Sequence, residues 1–261
     1  MADYQIEGLF FSSHARMKAR MSKLFHNGYV ARLDRAQRAQ LPYMAYCLDK
    51  RGAEFVASLE GVPLKTLGWR KPWDGWDIVR HDVELNDLRI AAMRALAQLP
   101  STRLVNWMNS RHFNKYADPV QYRDRKGRER TRRIQPDGYF HVINTGTLGE
   151  RHSRFFIERD RRTEDNPRFF VEKVLPGLAY LRSGAYAARF GAFSARWLVV
   201  TTGERRLANM KAHTEHQAAK MDMNARAFYF TTFDKAVHSD AFFTAPIWVQ
   251  AGNEKPTPLF R

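Results

Sequence analysis

Three acidic residues in the middle of the chain have the types and spacing for divalent-metal chemistry on phosphate esters. Asp137 follows a proline in IQPDGYF, and Glu158 and Asp160 alternate in FFIERD. Mg²⁺ and Mn²⁺ prefer hard carboxylate oxygens and water. Such an ion polarises a phosphoryl oxygen and lowers the pKa of a bound water. Asp137 opens one candidate strand, PDGYFHVI, and Glu158 closes the next, SRFFIE. In an antiparallel pair those two ends meet, so Asp137 and Glu158 are expected to share a metal ion. Asp160 could add a ligand or orient a neighbour. The plain alternative is a Pro-Asp turn beside a solvated strand end tied by local ion pairs.

Phosphodiester cleavage also calls for a cation near the developing negative charge. The position two residues after Glu158 holds Asp160 instead of a lysine. The candidate cation is Lys173 in RFFVEKVLPGLAY, on a helix predicted from about Pro167 to Arg189. Lys173 and Tyr180 would share a helical face, and packing that face on the sheet returns the ammonium to the acids. Glu84 and His81 share a face of an earlier helix and could complete the catalytic group from across the sheet. The alternative for Lys173 is a partner in Glu172 or water. Tyr139 and Tyr180 stand near enough to serve as nucleophiles, although packing is the simpler role. No His-x-His pair occurs, and His213 and His216 in KAHTEHQ read as surface histidines.

The elements that must hold these residues alternate. VRHDVELNDLRIAAMRALAQLP is a helix with an apolar stripe through Val83, Leu85, Leu88, Ala92 and Leu96, stopped at Pro100. Candidate strands follow in TRLVNWM, PDGYFHVI and SRFFIE. After the long helix come RWLVVTT, a buried type of strand, the helix ERRLANMKAHTEHQAAKM and the strand AFYFTTF. This order predicts an α/β (α+β) domain with a central mixed sheet and helices on both faces. It is also the order of a restriction-endonuclease-like core.

Ahead of that core, residues 1–63 read as a small helix-rich unit. SSHARMKARMSKLFHNG is a helix with Met17, Met21, Leu24 and Phe25 on one face and Arg16, Arg20 and Lys23 on another. YVARL and LPYMAYCL form a ribbon around DRAQRAQ, and GAEFVASLEG is a closing helix. The pattern is a winged helix-turn-helix whose basic helix enters the major groove while DRAQRAQ lies along the backbone as the wing. About ten residues precede Ser12, so the first helix of that motif is expected to be missing. The alternative is a helical hairpin with solvated basic residues. Residues 64–78 form a Pro-, Gly- and Trp-rich linker, and 79–261 form the nuclease-like domain.

Charge points to a polyanionic partner. The 261 residues carry 43 Lys plus Arg against 27 Asp plus Glu, a formal net charge of +16, and a field of that sign attracts nucleic acid at long range. Arginine-rich RDRKGRERTRR is the densest stretch. Arg125, Lys126, Arg128, Arg130, Arg132 and Arg133, with Arg16, Arg20 and Lys23, are the expected DNA-binding residues. No run of apolar residues is long enough to cross a membrane, and no export signal stands at the N-terminus. One cysteine, Cys47, excludes a disulfide framework and fits a reducing cytoplasm.

HDVELNDLRIAA, PDGYF, FFIERDRRTE, the helix with Lys173 and Tyr180, and RWLVVTTGERRLANM together resemble the plasmid replication-relaxation family, over roughly residues 1–235. That family is similar to the MobC-type mobilisation proteins, regarded as relaxases on a restriction-endonuclease-like domain. The resemblance implies that His81, Asn86, Asp137, Glu158, Asp160 and Lys173 are the positions to watch. It implies a plasmid DNA-binding mobilisation or relaxation protein that uses Mg²⁺ or Mn²⁺ to nick supercoiled double-stranded DNA at a transfer origin. Other mobilisation or replication proteins, or further copies of the chain, are the remaining expected partners. The alternative is a non-catalytic DNA-binding accessory protein or regulator on a nuclease-like scaffold, which the Glu-x-Asp departure from Glu-x-Lys favours.

Overall fold

The computed structural model describes residues 1–33, 41–69, 76–146, 149–161 and 165–260; nothing is described of the side chains of 76, 77 and 146. The predicted wing, DRAQRAQ at 34–40, and the middle of the predicted linker, 70–75, lie outside the described residues. The chain forms two compact units, Met1–Asp87 and Leu88–Arg261.

The first unit opens with helix α1, Asp3–Phe10, which corrects the expectation of a missing first helix. α1 buries only Gln5 and Ile6, so it has almost no apolar periodicity to read. Its anchor is polar. Gln5 Oε1 accepts the Ala2 N–H at 2.9 Å, and Gln5 Nε2 donates to Val83 O at 2.8 Å and Asp87 Oδ1 at 2.7 Å. Helix α2, His14–His26, starts at the Ser13 cap and turns Met17 and Met21 into a small core with Ile6. Strand β1, Val30–Arg32, pairs antiparallel with β2, Tyr46–Leu48. Asp49 then caps helix α3, Lys50–Leu59. A 3-10 turn at Leu64–Leu67 and the long helix α4, Trp76–Ala97, follow. The boundary between the units falls within α4.

The second unit is built on a six-stranded mixed sheet. Its strands are β3 (Thr102–Asn109), β6 (Gly138–Gly146), β7 (Gly149–Arg159), β8 (Arg196–Thr201), β9 (Phe228–Thr232) and β10 (Val249–Gln250), in the spatial order β10-β9-β8-β7-β6-β3. β3, β6 and β7 form an antiparallel meander; β8 and β9 add parallel to β7. After β3, the short helix α5, Ser110–Lys115, leads into a separate hairpin of β4, Pro119–Arg123, and β5, Glu129–Arg133. The arginine-rich stretch is therefore paired backbone. One sheet face packs Tyr139, Phe156, Trp197, Val199, Phe228 and Phe230 into the main core.

The helical layer over that face is segmented, not one continuous helix. It runs as α6 (Asn166–Phe169), a π turn (Phe170–Val174), α7 (Leu175–Arg182) and α8 (Gly184–Phe190). Pro176 has no N–H to bond the carbonyl four residues back, and its ring crowds that carbonyl, so the α-helical ladder widens just ahead of it. Gly177 lets α7 approach the sheet: a Cβ there would meet the Trp197 ring at 3.1 Å and Phe228 at 3.2 Å. Helix α9, Glu204–Lys220, and α10, Phe233–His238, follow β8 and β9. No described helix is long and apolar enough to cross a membrane.

Candidate functional site

The meander brings Asp137 and Glu158 together by register. Gly138 pairs with Ile157, so Asp137, just ahead of β6, lies beside the end of β7 that carries Glu158. Asp137 is fixed on the edge of β7 twice. Its N–H donates to Ile157 O at 3.1 Å, and its Oδ2 accepts the Arg159 N–H at 2.7 Å. Alternation along β7 puts Glu158 on the same face as Phe156, the face covered by the helical layer. Glu158 is 4% exposed.

Lys173 reaches this acid from the π turn. Its Nζ lies 2.8 Å from Glu158 Oε2 and donates to Gln135 O at 3.2 Å. Glu172 faces a different way and binds Arg132 at 2.9 Å and Arg168 at 3.1 Å, so the ordinary Lys173–Glu172 pairing does not form. Tyr180 does not accompany Lys173. The π turn between them shifts the helical phase, and Tyr180 donates to Asp118, which also binds Arg189 at 2.8 Å. Burial and the Asp118 carboxylate push the Tyr180 hydroxyl far above its ordinary pKa. Tyr139 is likewise a core residue, packed on Phe156 and Phe190 and raised chiefly by burial.

Asp160 continues on the same face of β7, but its oxygens are engaged. Oδ2 accepts from Thr201 Oγ1 at 2.8 Å and Arg206 Nε at 2.9 Å, and Oδ1 accepts from Arg206 Nη2 at 3.0 Å. Arg206 also donates to Asn166 Oδ1 at 2.6 Å. A buried ion pair of this kind offsets its desolvation only when its remaining hydrogen bonds are made, and Thr201 and Asn166 make them. Arg206 is not among the residues the sequence pattern points to. The available signal was the parallel strand RWLVVTT, whose end runs into GERR beside the end of β7.

His81 and Glu84 belong to the first unit, and Asp137, Glu158 and Lys173 to the second. Glu84 is paired with Arg80 at 3.1 Å. His213 is not the surface residue expected: its ring meets Phe170 edge-on, and burial, then the Arg125 charge, holds its pKa below the ordinary value. His216 is exposed.

Mg²⁺ typically takes one or two protein carboxylates and fills its other positions with water and substrate oxygens, and Asp137 and Glu158 are two such groups on adjacent strands. An ion there would share Glu158 with Lys173. Among the described residues, no group of three or more His, Cys, Asp or Glu side chains is placed to hold a metal.

The predicted DNA-binding cations fall on two surfaces. Arg16, Arg20 and Lys23 are exposed on α2, away from Met17 and Met21. The others lie on the β4–β5 hairpin. There Asp124 binds Arg128 Nη2 at 2.9 Å and Arg130 Nε at 3.0 Å, and Arg132 pairs with Glu172. Some burial works to raise the Asp124 carboxyl, but the hydrogen bonds from Arg128, Lys126 and Arg130 outweigh it and hold the group well below the usual carboxylate range.

A family model described as Replication-relaxation matches residues 1–195. No curated protein and no solved structure matches the chain. The match spans most of the 261 residues: the chain belongs to the Replication-relaxation family.

Proposed function

We propose that this member of the Replication-relaxation family binds plasmid DNA and nicks one strand of it in a divalent-metal-dependent reaction. Family membership ties the chain to replication and relaxation and implies contact with DNA. The nicking activity is our reading of the acidic site. The observation that carries it is Lys173 Nζ at 2.8 Å from Glu158 Oε2, with Asp137 bonded to the neighbouring residues Ile157 and Arg159 of β7. In this reading Asp137 and Glu158 hold Mg²⁺ or Mn²⁺, which when bound supplies Lewis-acid polarisation of the scissile phosphate. Lys173 offsets negative charge on the phosphate as the bond to the leaving oxygen breaks. Asp160 and Arg206 keep the end of β7 rigid. The first unit acts as a winged helix-turn-helix in which α2 reads duplex DNA.

A nicking assay on supercoiled plasmid carrying the cognate transfer region tests this. Metal-dependent open circles from the wild type, absent with Asp137→Ala and with EDTA, are the expected result. Salt-sensitive binding without a nick under either metal would move the assignment to an accessory DNA-binding protein. The engagement of Asp160 by Arg206, where a nuclease could use a cation, is the observation that favours that second reading.

A further inference from the structure

The β4–β5 hairpin does more than display charge. Between it and the π turn lies a cleft of about 480 Å³, lined by Tyr122, Arg125, Lys126, Arg128, Arg130 and Arg132, with Asp124, Thr131 and Val171 completing the wall. That size lies in the range of small-ligand sites. Tyr122 and Val171 lean against the main core and are half-buried, so one side of the cleft is apolar and aromatic. The other side is cationic. Tyr122 pairs with Arg130 and Val120 with Arg132 across the hairpin, which turns both arginines to the face that carries Tyr122.

Asp124 holds the turn and part of this charge in place. Asp124 accepts the Lys126 and Arg128 N–H groups at 2.8 and 3.1 Å and also binds the Arg128 and Arg130 guanidinium groups. Gly127, at φ 73°, closes the turn. The Arg125 guanidinium lies over the Phe170 ring at 5.8 Å. Among the described residues neither Arg125 nor Lys126 has a carboxylate partner.

We infer that this cleft seats one unpaired nucleotide, with its base on Tyr122 and its phosphate held by Arg125 and Lys126. An aromatic wall beside fixed guanidinium groups accepts any base by stacking and any backbone by charge, whereas duplex DNA offers no free base face. The inference rests on the DNA-binding reading and adds to it: the hairpin holds a strand that has left the duplex. A free nucleotide has the same chemistry.

Fluorescence anisotropy with a labelled single-stranded oligonucleotide, and with the duplex of the same sequence, tests the assignment. Tyr122→Leu should weaken single-strand binding roughly 10-fold and leave duplex binding unchanged, while Tyr122→Phe keeps both. The double variant Arg125→Gln, Lys126→Gln, confined to the exposed turn, should weaken the single-strand complex at unchanged melting temperature. Displacement of the oligonucleotide by a nucleoside monophosphate at similar concentration would identify free nucleotide as the source; displacement only by single-stranded DNA would identify the strand. If Tyr122→Leu stays folded and lowers both affinities equally or neither, the nucleotide seat is wrong while the DNA reading stands. If Tyr122→Leu melts early, wild-type single-strand affinity in the double variant overturns the seat. If the wild type binds neither DNA form, the DNA reading falls too.

Discussion

Lys173 Nζ and Glu158 Oε2 stand 2.8 Å apart, joining a π turn to the end of a central strand. The acid side chain is 5% exposed and the lysine 23%. Pro176 is the local cause, because the widened turn ahead of it sets the direction in which Lys173 leaves the helical layer. Lys173→Met would leave a buried carboxylate without its cation. We expect it to lower stability by about 3 kcal/mol, the low end for a buried pair because the lysine is partly exposed. Adding Glu158→Gln should recover much of that loss, read from urea midpoints in a double-mutant cycle.

Asp160 and Arg206 form a two-pronged contact that a point charge cannot reproduce. Arg206→Lys should therefore destabilise nearly as much as Arg206→Ala, by about 3 kcal/mol, because a lysine keeps the charge and loses the planar fork. Near-wild-type unfolding of Arg206→Lys would contradict this.

His141 carries a pH signature. Burial first, then the charges of Arg154, His152 and Arg103, lower its pKa to about 4. A histidine lowered in the folded state stays neutral there while the unfolded chain takes up the proton. Its contribution is fully present above the ordinary pKa of about 6.5 and is lost as pH falls from there toward 4. Replacing it by Asn should flatten urea midpoints between those limits and leave them unchanged at neutral pH.

Arg16, Arg20 and Lys23 point away from the core side of α2. The triple alanine variant should fold normally and bind duplex DNA more weakly. The slope of log K against log salt should become shallower by about 0.9 for each phosphate that the variant no longer neutralises. An unchanged slope would remove α2 from the DNA interface.

Local periodicity and charge made much of this protein legible without a structure. The apolar run that opens FFIERD and the continuous apolar run RWLVVTT depend only on which side chains suit a pleated, buried strand, and β7 and β8 lie there. The strands that carry PDGYF and FFIERD pair antiparallel because a short connection leaves few other registers. Contacts between distant segments were not legible. α1 is held by Gln5 hydrogen bonds to residues far along the chain, a polar anchor with no period. Arg206 finds Asp160 only because β8 adds parallel to β7. Lys173 and Tyr180 part company because one proline changes the helix beneath them, so Lys173 meets Glu158 and Tyr180 meets Asp118. Sequence alone determined which residues were apolar, acidic or basic and with what local period; the partner each charged group found was decided by strand order and helix phase, which only tertiary packing sets.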